Sequence, residues 1–426
     1  MNVVVGGGIT GLWLARQLAL KGESVTLVTR DKTGGLLTSA IMRYRNHSFR
    51  ADLGGHVYTA QDSRVVDLLE RVGAVRHSRQ AFYNDVKWGD IPYPVQDHVE
   101  QLRMSIEQDR SKQWYEGMSL QDFALAKFGD VFYDRWFKPF NQRVWTLDPA
   151  QMDSDWVAGR VKTGAPDAKW GPNSDFLYAP GDMIIDQLFR DLDGLDVEVV
   201  IGNASFNRSS LTVNGNDQPY DKLFWTAPIQ RLIGGKDLKV NHVTTLAVVL
   251  EDTLPSNFGW HWRYCDVGSP VHRVTNLSAY HPSVSPEGYS VLLLELPHEL
   301  GKLPRFTQQN MALPSPASAQ VGMVDPDVVD LWLKAANLEA HQYDVIGAQS
   351  FTFVGYPLPT LGLRRRMATA KEELALHNIY VAGRWGDHAY FNIEHCMTSA
   401  DSAILAARFG AEDDYFLSTH YYGVYR

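Results

Sequence analysis

The 426-residue sequence predicts an α/β protein whose parallel sheet is assembled from separated stretches of chain, with a helical domain and an antiparallel sheet domain inserted between them. Three observations point to this class. A strand, a glycine-rich turn, a helix and a second strand follow one another by Val28. Between residues 62 and 190 apolar residues recur mostly at helical spacing, whereas β-branched runs bounded by turn residues dominate from 197 to 296. Near the far end, Ile379-Tyr380-Val381-Ala382-Gly383-Arg384 is again a strand running into glycine, so the chain returns to its first sheet.

Bulk composition narrows the function. At 45% hydrophobic and 21% charged residues, a chain of this length holds two or three domains and needs no disulfide staple. The net charge of -9 excludes a general nucleic-acid or anionic-membrane binder, but leaves room for a local basic pocket. Two cysteines, Cys265 and Cys396, are too few for a disulfide framework or a multi-thiolate metal site, and both are expected as buried apolar residues. No apolar run reaches the roughly 18 residues of a membrane span. The opening residues lack a basic stretch and a small-residue cleavage site, so a cytoplasmic location is expected.

Taken in order, Val3-Val4-Val5 is a buried strand that enters Gly6-Gly7-Gly8-Ile9-Thr10-Gly11 and then an apolar helix through Leu20. In this G-x-G-x-x-G pattern Gly6 makes the tight turn, Gly8 admits a pyrophosphate against the backbone, and Gly11 lets helix and strand pack closely. The diphosphate then faces free N–H groups at the positive end of the helix. Strand, glycines, helix and strand together form the context that the dinucleotide fingerprint requires, which makes this domain Rossmann-type. The usual ribose-binding carboxylate is missing from the end of the second strand, where Val28 and Thr29 stand; Asp31 either substitutes for it or is a solvated loop residue.

A second glycine pair, Gly34-Gly35, is not needed by an NAD enzyme, whereas flavoproteins of the amine-oxidase type use such a pair to bring backbone close to FAD. Asp52-Leu53-Gly54-Gly55-His56-Val57 adds a further backbone approach, at Gly55, and a histidine. Helices are expected over residues 63–72, 97–108 and 119–128, in a region dense in aromatics such as Trp88, Trp114, Trp145, Trp156 and Trp170. Most of these rings belong to a core. Asn141, Arg143 and Arg160, interleaved with them, suit a pocket that stacks a base and binds phosphate. Strands at 197–201, 210–214 and 221–225 read as a small antiparallel excursion with a hairpin turn at Asn214-Gly215. Further strands are expected at 243–250, 271–277 and 289–296, a Pro-, Ala-, Ser- and Gln-rich surface loop at about 300–325, and a helix at 397–408. The resulting division is an FAD-binding domain of residues 1–61, 182–240 and 346–412, a mainly helical substrate domain of 62–181, a sheet domain of 241–345, and an aromatic tail of 413–426.

Seven ordered motifs carry a family resemblance. They are Asp52-Leu53-Gly54-Gly55-His56-Val57, Ile91-Pro92-Tyr93-Pro94-Val95-Gln96, Lys138-Pro139-Phe140-Asn141-Gln142-Arg143-Val144-Trp145, Trp156-Val157-Ala158-Gly159-Arg160-Val161, Trp170-Gly171-Pro172-Asn173, Gly355-Tyr356-Pro357-Leu358-Pro359-Thr360 and Gly383-Arg384-Trp385-Gly386. Spread over almost the whole chain, they resemble the UDP-galactopyranose mutases, and the eukaryotic-type branch more closely than the bacterial one. The resemblance implies interconversion of UDP-galactopyranose and UDP-galactofuranose, with the N(5) of reduced FAD as nucleophile at the anomeric carbon and an external reductant such as NAD(P)H. A covalent route of this kind divides one difficult rearrangement into easier steps.

By the same resemblance His56 lies beside the flavin, together with Gly55, Gly383 and Arg384. Arg160 and Arg273 clamp the diphosphate, a task for which the planar, permanently charged guanidinium is suited. Tyr280 and Tyr390 donate hydroxyls to the same phosphates, and Tyr93, Gln96, Asn141 and Trp145 line the substrate pocket toward the uridine. One departure stands out. Glu394 occupies a position where the pattern has a diphosphate-touching asparagine, and a carboxylate there repels phosphate unless it turns away or is neutralised; after a local shift Asn392 takes over. From the residues, three alternatives stay open. They are an FAD-dependent oxidase or desaturase of the amine-oxidase type, a mutase-like enzyme acting on a different nucleotide sugar, and a flavin-binding protein without catalysis.

Overall fold

The structure is a computed structural model that describes residues 1–32, 34–60, 62–107, 109, 115, 117–155, 175–207, 210–235, 237–251, 259–299, 302, 319–320, 324–338 and 343–410. Trp114, Trp156, Arg160, Trp170 and the 413–426 tail lie outside these residues.

The first sheet has five strands in the order β20 (Ile379–Val381), β13 (Lys222–Trp225), β1 (Asn2–Val5), β2 (Val25–Thr29), β9 (Val197–Ile201), and every neighbouring pair is parallel. Its strands come from opposite ends of the chain, as the discontinuous α/β class requires. Helices cover both faces. On one, Leu12, Leu14 and Leu18 of α1 (Ile9–Ala19) share a core with Ala400, Ala403 and Ile404 of α10 (Ile393–Phe409) and with α5 (Gly181–Arg190). On the other, Leu363, Met367 and Leu374 of α8 (Leu363–Ala375) meet Val3, Val5 and Trp225. Because such a sheet is buried on both sides, β1 is apolar at three of its four positions instead of alternating.

The second large sheet has seven strands, ordered β19 (Val345–Pro357), β14 (Val240–Leu250), β17 (Ser290–His298), β16 (Arg273–Asn276), β15 (Trp262–Tyr264), β6 (Ala81–Asp85), β7 (Gly89–Pro92). All pairings are antiparallel except that of β6 with β15. One face of this sheet packs on α7 (Pro326–Ala335) through Trp332 and Leu333. The stretch 346–412, expected wholly in the FAD domain, therefore opens with the long edge strand β19 of this sheet.

Helices α3 (Leu120–Phe132) and α4 (Lys138–Trp145), joined by a wide turn at Tyr133–Phe137, hold a separate aromatic core of Phe128, Phe132, Trp136, Phe137 and Phe140. The smaller pieces are the hairpin of β3 (Ser39–Tyr44) and β4 (His47–Asp52), extended by β18 (Ala319–Gln320); α2 (Ser63–Arg71); and the pair β5 (Val75–Ser78) with β8 (Asp175–Tyr178). There follow the ribbon β10 (Ala204–Asn207), β11 (Ser210–Val213) and β12 (Asn216–Asp217), and the single turns α6 (Gln230–Ile233) and α9 (Gly383–Gly386).

Three expectations are corrected. The 62–190 stretch is not helical alone: among the described residues the strands β5, β6, β7 and β8 fall between its helices. No helix spans 97–108; two 3-10 turns, Val95–Asp97 and Val99–Leu102, stand there, and the second ends at Arg103 with φ +50°. The 197–225 excursion is split, because β9 and β13 join the parallel sheet and only β10–β12 form an antiparallel ribbon. Its turn is as read: Asn214 and Gly215 have φ of +53° and +84°, the positive pair that a type I′ hairpin turn needs. Among the described residues no helix is long and apolar enough to cross a membrane, and no cluster of three or more His, Cys, Asp or Glu could hold a metal. Cys265 and Cys396 are buried free thiols, both pushed up in pKa by burial.

Candidate functional site

The glycine turn is packed so tightly that three of its glycines admit no side chain. A Cβ on Gly11 would lie 1.8 Å from the Gly6 carbonyl, one on Gly6 2.3 Å from Thr226 Oγ1, and one on Gly7 2.1 Å from Thr29 Oγ1. Gly8 differs: its Cβ would meet nothing nearer than the Gly34 carbonyl at 3.5 Å. Gly8 also caps α1 without a side-chain hydrogen bond, and no acid stands in the first turn, so the helix presents bare N–H groups and its positive end. Gly34 and Gly35, with φ of +85° and +67°, lie against Gly8. From the far end of the chain Gly383, φ +80°, presses on Thr10, where a Cβ would come within 2.3 Å of Oγ1. Three glycine segments thus converge on one helix N-terminus, a cradle that fits a dinucleotide's diphosphate. Asp31 takes a lesser place: its side chain is exposed and its carbonyl accepts from Thr29 Oγ1 at 2.6 Å.

Beyond the cradle the loop after β4 meets the seven-stranded sheet. Buried Asp52 at the end of β4 accepts from the Tyr178 hydroxyl at 3.0 Å and from Gly181 N–H at 3.2 Å, and Ser39 donates to it as well. Asp52 Oδ2 lies 3.6 Å from His56 Nδ1, so the imidazole stands over an anchored carboxylate. Gly55 N–H donates to Glu295 Oε1 at 3.4 Å, and a Cβ on Gly55 would lie 3.0 Å from Arg273 Nη2. Arg273 and Glu295 face each other across β16 and β17 and form a buried ion pair. Burial works against the Arg273 charge, but Glu295 outweighs it and holds the guanidinium well above its ordinary pKa.

Tyrosines ring this pair. Tyr280 and Tyr264 are both raised in pKa, chiefly by burial, and both feel the charges of Arg273 and Glu295. Tyr93 packs on Tyr264 at 4.6 Å between ring centroids and sits near Phe140 at 6.4 Å. On the far side Trp145, Tyr356 and Tyr390 form an edge-to-face triangle, with centroids 5.0 to 5.5 Å apart. The Arg384 guanidinium lies 5.4 Å from the Tyr356 ring and donates twice to the Phe391 carbonyl, at 3.0 and 2.6 Å.

Most of the expected residues therefore come together: Gly6, Gly8, Gly11, Gly34, Gly35 and Gly383 in the cradle, and Gly55, His56, Arg273, Tyr280, Tyr93, Trp145, Tyr390 and Arg384 beside it. Gln96 is half-buried in the 3-10 turn three residues after Tyr93, and Asn141 spends one amide hydrogen on the Phe137 carbonyl at 2.8 Å. Arg160 lies outside the described residues. Two expectations change. Arg143, expected near phosphate, is enclosed by the carbonyls of Cys265 at 2.8 Å, Ser269 at 3.0 Å, Asp266 and Val271, so it ties down the 265–271 loop. Asn392, offered as a phosphate ligand, caps α10 and accepts from His395 N–H at 3.0 Å. Glu394 turns toward α2, where Oε1 accepts from Asp62 N–H at 2.9 Å.

Two residues were missed. Glu295 interrupts the apolar run Val291-Leu292-Leu293-Leu294, and a lone acid in such a run is a readable sign of a buried charge. Arg79 carries no such sign. It is 7% exposed, lies 5.4 Å from the Trp262 ring and faces Tyr93, Tyr264 and Tyr280; its Nε is buried without a partner, and it has no acidic partner among the described residues. Burial lowers its pKa. A buried cation without its anion is costly in a folded protein, so this wall of the pocket is suited to a negatively charged ligand.

Comparison with known proteins agrees with this architecture. Residues 4–72 match the family of NAD(P)-binding Rossmann-like domains. The crystal structure of reduced UDP-galactopyranose mutase superposes with a TM-score of 0.80 at 22% identity, over 100% of this chain and 99% of that one. Putrescine oxidase bound to putrescine gives 0.62 at 12% identity, over 95% and 98%. A fatty acid isomerase from P. acnes that produces CLA gives 0.63 at 13%, over 96% and 98%. What the chain shares with all three is the fold: a Rossmann-like dinucleotide-binding domain carried in the full-length architecture of reduced UDP-galactopyranose mutase.

Proposed function

We propose that this protein is a flavin-dependent nucleotide-sugar mutase that interconverts UDP-galactopyranose and UDP-galactofuranose with reduced FAD. The observation that carries the reading is the adjacency of an empty-sided glycine cradle to a buried, arginine-bearing pocket ringed by tyrosines. Arg79 gives that pocket its unbalanced charge, Arg273 being paired with Glu295, and the motifs of the sequence resemble those of the mutases. Full-length likeness to the reduced mutase supports the same reading.

The chain's residues divide the work. Gly8, Gly34, Gly35 and Gly383 admit the FAD diphosphate against the N-terminus of α1. When bound and reduced, FAD supplies the nucleophile for the anomeric carbon. Arg273, joined by Arg160, binds the UDP diphosphate and stabilises charge as the sugar–phosphate bond opens. Glu295 keeps Arg273 oriented and also holds Gly55 through its N–H. Tyr280 and Tyr390 donate hydroxyls to phosphate oxygens; a phenol is protonated at neutral pH, and burial raises the Tyr280 pKa further. Tyr93 and the Trp145–Tyr356–Tyr390 triangle stack or enclose the nucleoside and exclude water. His56 lies beside the flavin with Asp52 behind it. An external reductant such as NAD(P)H keeps the flavin reduced.

The test is anaerobic incubation of dithionite-reduced holoprotein with UDP-galactofuranose, followed by chromatography for UDP-galactopyranose. Conversion supports the mutase. No conversion, together with substrate-dependent oxygen uptake in air on an amine substrate, overturns it in favour of the oxidase. Arg273→Lys should retain yellow bound FAD and lose at least about 1.4 kcal/mol of transition-state binding, tenfold in kcat/KM, because the planar fork is gone.

A further inference from the structure

Behind the Gly383 turn lies a buried ion pair that the proposed reaction does not use. Lys371 on α8 is 2% exposed and its ammonium pairs with Asp387, which is 4% exposed at the end of α9. Asp387 also accepts from the Ser399 hydroxyl on α10. Ser399 Oγ in turn accepts from Gly383 N–H at 2.9 Å, and Asp387 N–H donates to the Gly383 carbonyl at 2.8 Å. A carboxylate can only accept, so the Ser399 proton points to Asp387 and a lone pair is left for Gly383. The direction of each hydrogen bond is thus set from the ammonium outward.

What this chain of bonds ends on is the cradle. Gly383 is held at φ +80° against Thr10 of the glycine turn, and the next residue, Arg384, reaches the Tyr356 ring. Buried ion pairs are poor stabilisers compared with an apolar pair of similar volume, which shifts attention from how tightly this one holds to what it orients. We propose that Lys371, Asp387 and Ser399 form a positioning relay that locks the Gly383–Arg384 turn in the register that closes the dinucleotide cradle and directs Arg384 to the aromatic wall. The inference rests on the cradle being an FAD site, and assigns a function to three residues behind the cradle that contact Gly383 and one another.

Removing one charge strands the other, so a single Lys371→Met or Asp387→Asn change does not separate a lost relay from a misfolded protein. The informative variants are the apolar double Lys371→Met/Asp387→Leu, which refills the space but leaves Ser399 unoriented, and Ser399→Ala, which removes one oxygen. Three quantities are measured: the melting temperature, the FAD dissociation constant by fluorescence titration of apoprotein, and amide hydrogen exchange over residues 382–392. The relay predicts faster exchange in that segment and FAD binding weakened roughly tenfold, the scale of one oriented hydrogen bond, in variants that still melt cooperatively. Wild-type exchange and wild-type FAD affinity in a folded double variant, or in Ser399→Ala should the double not fold, overturn it. If the wild-type protein takes up no FAD, the cofactor reading falls, and exchange over 382–392 still decides the relay.

Discussion

At the scale of single residues, the glycine turn separates two roles that a motif alone merges. Gly11→Ala drives a methyl group into the Gly6 carbonyl, and forced overpacking of this kind costs about 1–3 kcal/mol. Both melting temperature and FAD retention should fall. Gly8→Ala instead meets only the Gly34 carbonyl, at an ordinary contact distance of 3.5 Å. It should melt like the wild type yet fail to retain FAD on desalting, and a Gly8→Ala protein that stays yellow would remove Gly8 from the diphosphate site. The Arg273–Glu295 pair gives a second contrast. Glu295→Gln leaves a buried guanidinium without its anion, which costs about 3–5 kcal/mol when a buried pair is broken; chemical denaturation should show the loss directly. These residues also mark the limit of legibility. Glycines were readable because their need is local, whereas Arg143 and Arg79 were not. Both are arginines among aromatics, but one finds a nest of carbonyls more than a hundred residues away and the other has no acid beside it among the described residues. Nothing in the neighbouring sequence encodes that difference.

Among elements, the loop that follows α9 contains a pH-dependent weakness. His388 is fully buried at φ +47°, with Nε2 toward the Lys239 carbonyl at 3.1 Å, and burial lowers its pKa to about 4. The unfolded chain binds a proton near pH 6.5 while the native one does not, so this contribution is complete above pH 6.5 and is lost as pH falls toward 4. The depressed pKa is equivalent to about 3 kcal/mol at the low end of that window. His261, half-buried beside His77 and lowered to about 4 chiefly by burial, acts in the same direction. Urea midpoints measured at pH 7 and pH 5 should differ, and His388→Asn, which tolerates the positive φ and does not titrate, should narrow the gap. The tie between α10 and α2 is testable as well. Glu394→Gln keeps an acceptor for Asp62 N–H and should be nearly neutral, while Glu394→Ala should cost about 1 kcal/mol. Elements with strong local patterns, such as α1, β14 and β17, were legible. The strands β6 and β15 were hidden because each is short and its parallel partner lies about 180 residues away in the chain, Trp262 pairing with Ala81. The helix expected at 97–108 failed for the reverse reason: its apolar spacing was suitable, but Arg103 in the left-handed region ends the second turn.

For the whole molecule, both large sheets depend on the last third of the chain. β19 forms the edge of one and β20 the edge of the other, and α10 packs on α1 beside the cradle. A chain ending at residue 376 should therefore lose FAD binding altogether, and its far-ultraviolet circular dichroism should lose cooperativity on heating. The convergence of glycines from both ends has a further consequence, for biosynthesis. Gly8 and Gly34 leave the ribosome about 350 residues ahead of Gly383 and its supporting helix. A nascent chain can form β1, α1 and β2 and still offer only part of a binding surface. Flavin loading then waits on synthesis: only polypeptides made at least through α10 and folded can acquire the cofactor, so yellow colour reports on extension of the chain that far as well as on binding.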